Sequence, residues 1–264
     1  MTTVPHKPFD KSQFWLRTVL SLLLVVTLYT LLQLKVTDLN QKLALMADNF
    51  RLMFSESHFK HLTLLEGLYG VAITLSLAIQ TTLIGAIGAF ILGLFASRNL
   101  APHWLTAIIK SFVALVRAIP TVLWVLIFAV SAGLGSTAAV IGMTFHTVSY
   151  LTKSYSESFE EIDPGVIEAL RGCGASWWQI VFQAVLPTSL HPILSWTFIR
   201  FEINFLNAVA MGAAAGAGGI GFDLFMAGSH YLDFREVGMI TYLIIAVSMV
   251  LESTSIQLKK RLEL

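Results

Sequence analysis

Residues 168–187 read EALRGCGASWWQIVFQAVLP, a polar segment punctuated by glycine that lies between strongly hydrophobic parts of the chain. Gly174 follows Glu168 by six residues, and Pro187 follows Gly174 by thirteen. The residues that define this spacing are Glu168, Ala169, Gly174, Leu186 and Pro187. A loop of this kind in a membrane protein offers a surface that another protein can bind. The spacing therefore predicts a docking loop, and the alternative is an ordinary amphipathic surface loop.

The chain carries too little charge for a soluble protein of its size. Of its 264 residues, 56% are hydrophobic and 12% are charged, and its mean hydropathy is +0.74. Soluble domains carry about 25% charged residues. Long apolar runs therefore predict an all-α integral membrane protein. The net charge of +1 indicates no class of partner, and the single cysteine, Cys173, cannot form an internal disulfide.

Length and apolarity predict about six transmembrane helices. The first, Phe14–Leu34, follows Lys7, Lys11 and Arg17, as the apolar region of a signal peptide would. At about 20 residues it is long for a signal peptide, and it has no small-residue cleavage site, so we predict that it is retained. The others are Gly70–Ala96, Ala118–Leu134, Thr137–Ser154, Leu190–Met211 and Val237–Ile256.

The distribution of basic residues predicts that both termini are cytoplasmic. With the N-terminus inside, the cytoplasmic segments hold Lys7, Lys11, Arg17, Arg98, Lys110, Arg117, Lys153, Arg171, Lys259, Lys260 and Arg261. The outer segments hold Lys35, Lys42, Arg51, Lys60 and Arg235. Since Lys and Arg are enriched in cytoplasmic loops, this bias places the 158–187 loop in the cytoplasm.

Residues 101–117 predict an interfacial helix rather than the start of the third span. His103, Thr106, Lys110 and Arg117 share one helical face by their spacing. Cationic side chains along one face suit a helix that lies at the cytoplasmic membrane surface. Pro120 then falls in the first turn of the next span, where its missing N–H costs little.

Small residues recur at every fourth position of the second span. They are Thr81, Gly85, Ala89, Gly93 and Ser97. Such a stripe lets membrane helices approach closely, either within one chain or between subunits. We expect Leu at Gly85 or Gly93 to force the helices apart and Ala to be tolerated.

The docking loop itself is predicted to hold two short helices. Asp163 and Pro164 favour a helix start, and that helix is expected to run through Cys173. Gly174 permits a sharp change of direction. A second helix is predicted from Ser176 to Val185, after which Pro187 opens the fifth span.

Charged residues at membrane depth cost about 2.5 kcal/mol or more and are usually functional. Arg200, Asn204 and Asn207 share one face of the fifth span, and with His146 of the fourth span they form a candidate substrate pathway. Alternatively, Arg200 neutralises Glu202 or another buried acid, and His146 makes a structural hydrogen bond. Glu202 points to the opposite side, toward a neighbouring helix or a partner copy.

The 168–187 segment resembles the EAA loop of ABC-importer permeases, the cytoplasmic element that docks onto the ATPase subunit. Together with that loop, three further stretches resemble the phosphonate or phosphite-type permease family over residues 117–261. These stretches are Arg117-Ala-Ile-Pro120, Arg200-Phe-Glu-Ile-Asn204 and Gly216-Ala-Gly-Gly-Ile-Gly-Phe-Asp223. One departure is Leu206, which stands where the family pattern has an arginine.

This resemblance implies a type I ABC-importer permease core in residues 70–264, with the EAA loop at 158–187. Residues 1–69 would supply an N-terminal transmembrane helix and an amphipathic outer loop. The implied protein lies in a bacterial inner membrane and works with a pair of ABC ATPase subunits, an extracytoplasmic solute-binding protein and a second permease, identical or paralogous. Structural or gating roles fall to Arg117, Pro120, Glu202, Gly216, Gly218, Gly219 and Gly221.

Other functions find less support in the residues. Gly216, Gly218 and Gly221 spell G-x-G-x-x-G, but they follow a membrane span rather than a β-strand, so we predict a close-packed turn at the outer mouth. The sequence has no ATP-binding P-loop string, so a separate subunit must hydrolyse ATP. No catalytic residue, cofactor site, metal cluster or nucleic-acid-binding array is predicted.

Three alternatives stay open: a permease for another small solute, a secondary transporter, and an integral-membrane enzyme. The second would leave the EAA-like loop unexplained. The third would need a compact acid/base or metal constellation, which the scattered histidines do not offer.

Overall fold

A computed structural model of the chain describes residues 11–33 and 39–262, and for residues 258, 259, 261 and 262 it describes the backbone alone. Leu34, the predicted end of the first span, lies outside the described residues, as do Lys7 and Lys35.

The described residues form helices and connecting turns, without a β-strand among them. The α-helices are α1 Lys11–Gln33, α2 Leu39–Ser55, α3 Leu64–Ala96, α4 His103–Ala118, α5 Thr121–Ala132, α6 Ser136–Glu160, α7 Pro164–Gly172, α8 Trp177–Ile180, α9 Leu186–Ala215, α10 Ile220–Phe225 and α11 Phe234–Leu262. Two five-residue π-helical segments follow α8 and α10, at Val181–Val185 and Met226–His230.

The chain divides into two compact units, Met1–Asn49 and Phe50–Leu264. In the first unit, α1 is 23 residues long with a mean hydropathy of 1.9. At 1.5 Å per residue it is about 34 Å long, enough to cross a bilayer. In the second unit, α3, α6 and α9 pack side by side and hold the buried core.

Three described helices are long and apolar enough to cross a membrane: Lys11–Gln33, Leu64–Ala96 and Phe234–Gln257. The number rises to five if each of two bent helix pairs forms one span. The predicted first, second and sixth spans are therefore confirmed, although α3 begins six residues before the predicted Gly70. The helix at the predicted fourth span, α6, is too polar to pass the same criterion.

The predicted third span begins at a sharp bend. The helices α4 and α5 meet at 90° around Ile119 and Pro120. Pro120 lies immediately before the first residue of α5 rather than within its first turn. Since α5 has 12 residues, it is about 18 Å long and does not cross a bilayer by itself.

The prediction of a separate helix before Pro120 is confirmed, and two residues of its predicted polar face contact other helices. Thr106 is buried and donates a hydrogen bond to the Phe95 carbonyl oxygen at 3.4 Å. Lys110 forms an ion pair with Glu160 of α6 at 2.8 Å. The other two residues of that face, His103 and Arg117, are exposed. The predicted polar face is therefore partly covered by α3 and α6 and open at its two ends.

The small-residue stripe of α3 packs within the chain, against α6. All five of its residues are buried. A Cβ at Gly85 would lie 2.5 Å from Thr147 Cγ2, and one at Gly93 would lie 3.2 Å from Tyr155 Cβ. The expectation that Ala is tolerated is therefore wrong at Gly85, because the β-branched Thr147 leaves no space for a methyl group.

We expect Gly85→Leu to reduce the yield of folded protein, because overpacking a close contact costs about 1–3 kcal/mol and Thr147 cannot move away freely. Thermal unfolding of the detergent-solubilised chain measures the effect. The control is Ala72→Leu, which adds a similar side chain at an exposed position of the same helix. Equal midpoints for the two variants would contradict the close packing of α3 on α6.

A buried carboxylate at the start of α11 holds the segment that precedes α3. Glu236 is fully buried and accepts hydrogen bonds from the backbone N–H groups of Lys60, His61 and Leu62 at 2.8–3.1 Å. The His61 side chain contacts the second carboxylate oxygen at 2.8 Å. One acidic side chain therefore satisfies three consecutive N–H groups and fixes the path of the chain into α3.

Replacing Glu236 by Ala should release this segment, because three N–H groups lose a charged acceptor. Hydrogen bonds to charged groups contribute about 1.5–3 kcal/mol, so amide exchange at Lys60–Leu62 should quicken at least about tenfold. Hydrogen–deuterium exchange mass spectrometry measures this change. Glu252→Ala, at an exposed position of the same helix, is the control and should leave that exchange unchanged.

Candidate substrate pathway and coupling loop

The structure brings Arg200 and His146 together at the contact between α9 and α6. Arg200 is only 2% exposed. Its Nη2 donates to His146 Nδ1 at 3.0 Å and to Thr147 Oγ1 at 3.2 Å, and its Nε donates to the same hydroxyl at 3.2 Å. Because a guanidinium has donors only, the histidine nitrogen in this contact is the acceptor.

Asn204 joins the same network from one turn further along α9. The Thr147 hydroxyl donates to Asn204 Oδ1 at 3.2 Å, and Asn204 Nδ2 donates to Thr82 Oγ1 at 2.9 Å. Thr82 in turn donates to the Ala78 carbonyl oxygen at 2.7 Å. These hydrogen bonds tie α3, α6 and α9 together and hold Arg200 in one orientation.

Tyr150 of α6 lies between two guanidinium groups. The Arg200 Cζ atom is 4.9 Å from the centre of the tyrosine ring, and the Arg117 Cζ atom is 5.8 Å from it. Cation–π contacts at these distances are attractive but leave the positive charges uncompensated. Arg117, at the end of α4, therefore borders the Arg200 site.

Arg200 has no carboxylate partner within the described part of the chain. Its Nη1 makes no hydrogen bond there, so two N–H donors of a buried cation are left for another group. Glu202 lies elsewhere, in a pocket against Ser248 and Glu252 of α11. Its Oε1 atom is buried without a hydrogen-bond partner among the described residues. The Arg200 and Glu202 side chains make no contact with each other, so the structure does not support Arg200 as the counter-ion of Glu202.

The remaining predicted pathway residue is separate from this network. Asn207 is half-buried and makes no hydrogen bond within the described residues. Sequence reasoning did not assign Thr82, Thr147 or Tyr150 to the site. The polar character of the fourth span pointed to Thr147, and the spacing of four residues from His146 could have pointed to Tyr150.

The docking loop folds as predicted on its N-terminal side. Asp163 caps α7 by accepting a hydrogen bond from the Gly165 N–H at 2.8 Å, and Pro164 is the first helical residue. The helix ends in a Schellman motif, in which the Gly174 N–H bonds the Arg171 carbonyl and the Ala175 N–H bonds the Leu170 carbonyl, both at 3.0 Å. Gly174 has φ = +81°, as this motif requires.

The loop is attached to the turn between α3 and α4. Trp177 Nε1 donates to the Leu100 carbonyl oxygen at 2.9 Å, and Arg171 Nη2 donates to the Asn99 carbonyl oxygen at 2.9 Å. The Trp177 ring stacks on Phe95 at 5.5 Å. Glu168, Ala169 and Gly174 are exposed. The loop is thus held by these contacts, and its segment Glu168–Gly174, which we call the knob, is largely exposed.

The second predicted helix of the loop does not end at Val185. The helix starting at Trp177 continues to Ala215, through the π-helical segment Val181–Val185 and past Leu186 and Pro187. Pro187 has no N–H to donate, and single π turns of this kind are accommodated within α-helices. The helix that begins in the loop at Trp177 is therefore continuous with α9.

The glycine-rich segment after α9 forms a close-packed turn, as predicted. Gly216, Gly218 and Gly219 have φ values of +63°, +80° and +73°. A Cβ at Gly221 would collide with the Val209 carbonyl group, which excludes a side chain there. The turn brings α10 back against α9 at 52°.

These features define a class of protein. A helical membrane protein with an uncompensated buried cation and an exposed, rigidly held loop has the parts of a membrane transport subunit. The chain belongs to the family of binding-protein-dependent transport system inner membrane components, whose family model matches residues 89–259. Membership of this family makes the chain an inner membrane component of a transport system.

Similar proteins confirm the resemblance found in the motifs. The phosphate-import permease protein PhnE of Mycolicibacterium smegmatis is 31% identical over 193 residues, which are 72% of this chain and 35% of that protein. The phosphite transport system permease protein PtxC of Stutzerimonas stutzeri is 31% identical over 71% of this chain and 68% of its own length. The chain thus spans about a third of the first relative and two thirds of the second.

The fold is that of type I ABC-importer permeases. An inward-facing structure of the MetNI methionine ABC transporter has a chain that superposes with a TM-score of 0.65, at 22% identity, over 74% of this chain and 95% of that one.

Proposed function

We propose that this chain forms one half of the transmembrane pathway of an ATP-driven importer for phosphonate, phosphite or a related phosphorus oxyanion. The observation that carries the proposal is Arg200, a buried cation with two free N–H donors and without a carboxylate partner among the described residues. A charge at membrane depth is costly unless it serves a function or is compensated.

An oxyanion compensates the charge of Arg200, and the geometry of the guanidinium group favours this class of ligand. The guanidinium group is planar and binds two oxygens of a phosphonate or phosphate at once. The neighbouring groups that accept from Arg200 hold it in place, so binding an anion requires little reordering. The names of the relatives, which import phosphate and phosphite, agree with this class of substrate.

The proposed topology has six crossings, formed by α1, α3, the α4–α5 pair, α6, α9 and α11. With 25 residues, α6 is about 37 Å long, so it spans a bilayer if its polar residues face the protein interior. Both termini and the 158–187 loop then lie in the cytoplasm, which the distribution of Lys and Arg supports.

The proposed partners follow from this topology. One subunit of an ABC ATPase pair binds the exposed surface around Glu168, Ala169 and Gly174, while Leu186 and Pro187 connect that surface to α9. A second permease, identical or paralogous, completes the pathway. An extracytoplasmic solute-binding protein delivers the anion to the opposite side, near the Gly216–Gly221 turn.

In this mechanism the chain performs no covalent chemistry. Closure of the ATPase pair displaces the 164–180 loop as a rigid body, and the continuous helix from Trp177 to Ala215 carries that displacement to Arg200. The pathway therefore alternates between inward-facing and outward-facing states as ATP is bound and hydrolysed. Arg200 lowers the electrostatic cost of an anion in the middle of the membrane.

Reconstituted uptake tests the proposal. The chain, co-expressed with an ABC ATPase and a solute-binding protein, should take up methylphosphonate or phosphite only with ATP, and unlabelled phosphonate, phosphite or phosphate should compete. Sulfate is the control anion. Uptake that persists without an ATPase subunit would favour a secondary transporter, and competition by an uncharged solute alone would exclude the oxyanion assignment.

A further inference from the structure

We infer that the pocket between α4 and α6 is a second anion site, which takes a phosphate-type group close to the Arg200 site. The inference deepens the proposed function, on which it rests for the orientation of the pathway. The pocket has a volume of about 290 Å³ and is lined by residues of α4, α6 and the turn after α3. About ten water molecules occupy this volume in the liquid, so the pocket has room for a hydrated phosphate group.

The pocket is positively charged. Four cations line it against one carboxylate, Glu157, which gives the lining residues a formal charge of +3. The cations are Arg98, Lys110, Arg117 and Lys153. Glu160, which pairs with Lys110 from outside the lining, lowers the formal charge of the whole group to +2, so the pocket still attracts anions.

Existing ion pairs use only part of this charge. Glu160 is occupied by Lys110 at 2.8 Å and by the Arg98 backbone N–H at 2.8 Å. Lys153 and Glu157 form a wider contact at 3.6 Å between two half-exposed side chains. Neither the Arg98 nor the Arg117 guanidinium has a carboxylate partner among the described residues.

The helix α4 turns one cation toward α6. Lys110 lies on the side of α4 that packs toward α6, whereas Ile108, Phe112 and Leu115 are exposed. The other three cations of the pocket, Arg98, Arg117 and Lys153, are exposed. The pocket is therefore open to solvent, so a free anion or a headgroup can reach it.

Arg117 connects this pocket with the Arg200 site. The two guanidinium carbons lie 5.8 Å and 4.9 Å from the same tyrosine ring, so they are at most about 11 Å apart. Arg117, a cation without a carboxylate partner among the described residues, therefore lies within about 11 Å of Arg200. In the proposed topology Arg117 is on the cytoplasmic side of Arg200, which makes the pocket a release site for the anion.

The ligand is defined by its chemistry as a phosphate-type group. It is either a free oxyanion or the headgroup of an anionic phospholipid. Both present tetrahedral oxygens that arginine and lysine bind.

The test uses the full chain, purified in detergent, with Arg200→Met as the background so that the intramembrane site does not contribute. Inorganic phosphate binding is measured by titration. Retention of phosphatidylglycerol is counted by native mass spectrometry. The test variant is Arg98→Gln with Lys153→Gln, and the control is Lys42→Gln with Lys260→Gln, which removes the same charge from exposed positions.

We expect the test variant to weaken phosphate binding, or to lower phosphatidylglycerol retention, at least tenfold relative to the control. Loss of phosphate binding identifies a free oxyanion, and loss of lipid retention identifies a headgroup. Equal binding in test and control variants overturns the inference. Because Arg200 is absent throughout, this result is independent of whether Arg200 carries the substrate.

Discussion

Arg200→Met is expected to lower ATP-driven oxyanion uptake by about 100-fold or more while the assembled complex remains stable. The variant removes two charge-assisted hydrogen bonds to the anion, each contributing about 1.5–3 kcal/mol. It also removes an uncompensated buried charge, so thermal stability should be unchanged or higher. Uptake into proteoliposomes and the unfolding midpoint of the same preparation measure the two effects separately.

Two further variants separate a pathway role from a counter-ion role. Arg200→Lys keeps the charge but offers a single ammonium group, so it should recover part of the uptake. Arg200→Met combined with Glu202→Gln should be as inactive as Arg200→Met alone, because the two side chains make no contact in this chain. Uptake at the original rate in the double variant would make Arg200 a structural counter-ion and end its assignment to the pathway.

Gly174→Val is expected to abolish coupled transport without removing the protein from the membrane. A Cβ at this position meets no atom within 4 Å, so the obstacle is the backbone, which lies at φ = +81°. A left-handed backbone conformation is less favourable by about 1–2 kcal/mol for a non-glycine residue, and by more for a β-branched residue. The Schellman motif should then open and change the shape of the knob formed by Glu168–Gly174.

The matched replacement is Gly174→Asn, because asparagine tolerates a positive φ. It should retain much more uptake than Gly174→Val. Gly172→Val, two residues earlier, tests local bulk alone, since that glycine has open space and no positive φ. The measurements are uptake and the stimulation of the ATPase by the permease. Normal values of both for Gly174→Val would contradict the docking role of this loop.

The local features of the loop followed from its sequence. Asp163, Pro164 and Gly174 act through their own backbone preferences and through partners only a few residues away. A helix cap or a left-handed turn can therefore be predicted without knowing the neighbouring helices. The same holds for the membrane class, which depends on summed hydrophobicity, and for the glycine turn after α9.

Features that depend on a distant partner were predicted less well. The contacts that Thr106 and Lys110 of α4 make with other helices were not predicted, because spacing shows which residues share a face but not what that face meets. The tolerance of Ala at Gly85 depended on which residue of α6 lies opposite. Likewise, the helix from Trp177 to Ala215 continues through a π turn that no local pattern indicated.

The sequence alone determined that the chain is a helical membrane protein, because summed hydrophobicity suffices for that conclusion. Its motifs also indicated a transport subunit with an exposed loop, through their resemblance to ABC-importer permeases. It also singled out Arg200, since a charge within an apolar span is conspicuous. Only the tertiary structure decided that Arg200 contacts His146 and Thr147 rather than Glu202, and that Arg117 borders both it and a basic pocket. The reason is that the Arg200 contacts join residues of two helices that are 53 and 54 positions apart in the sequence, and the register of the two helices is set by packing along the whole of each.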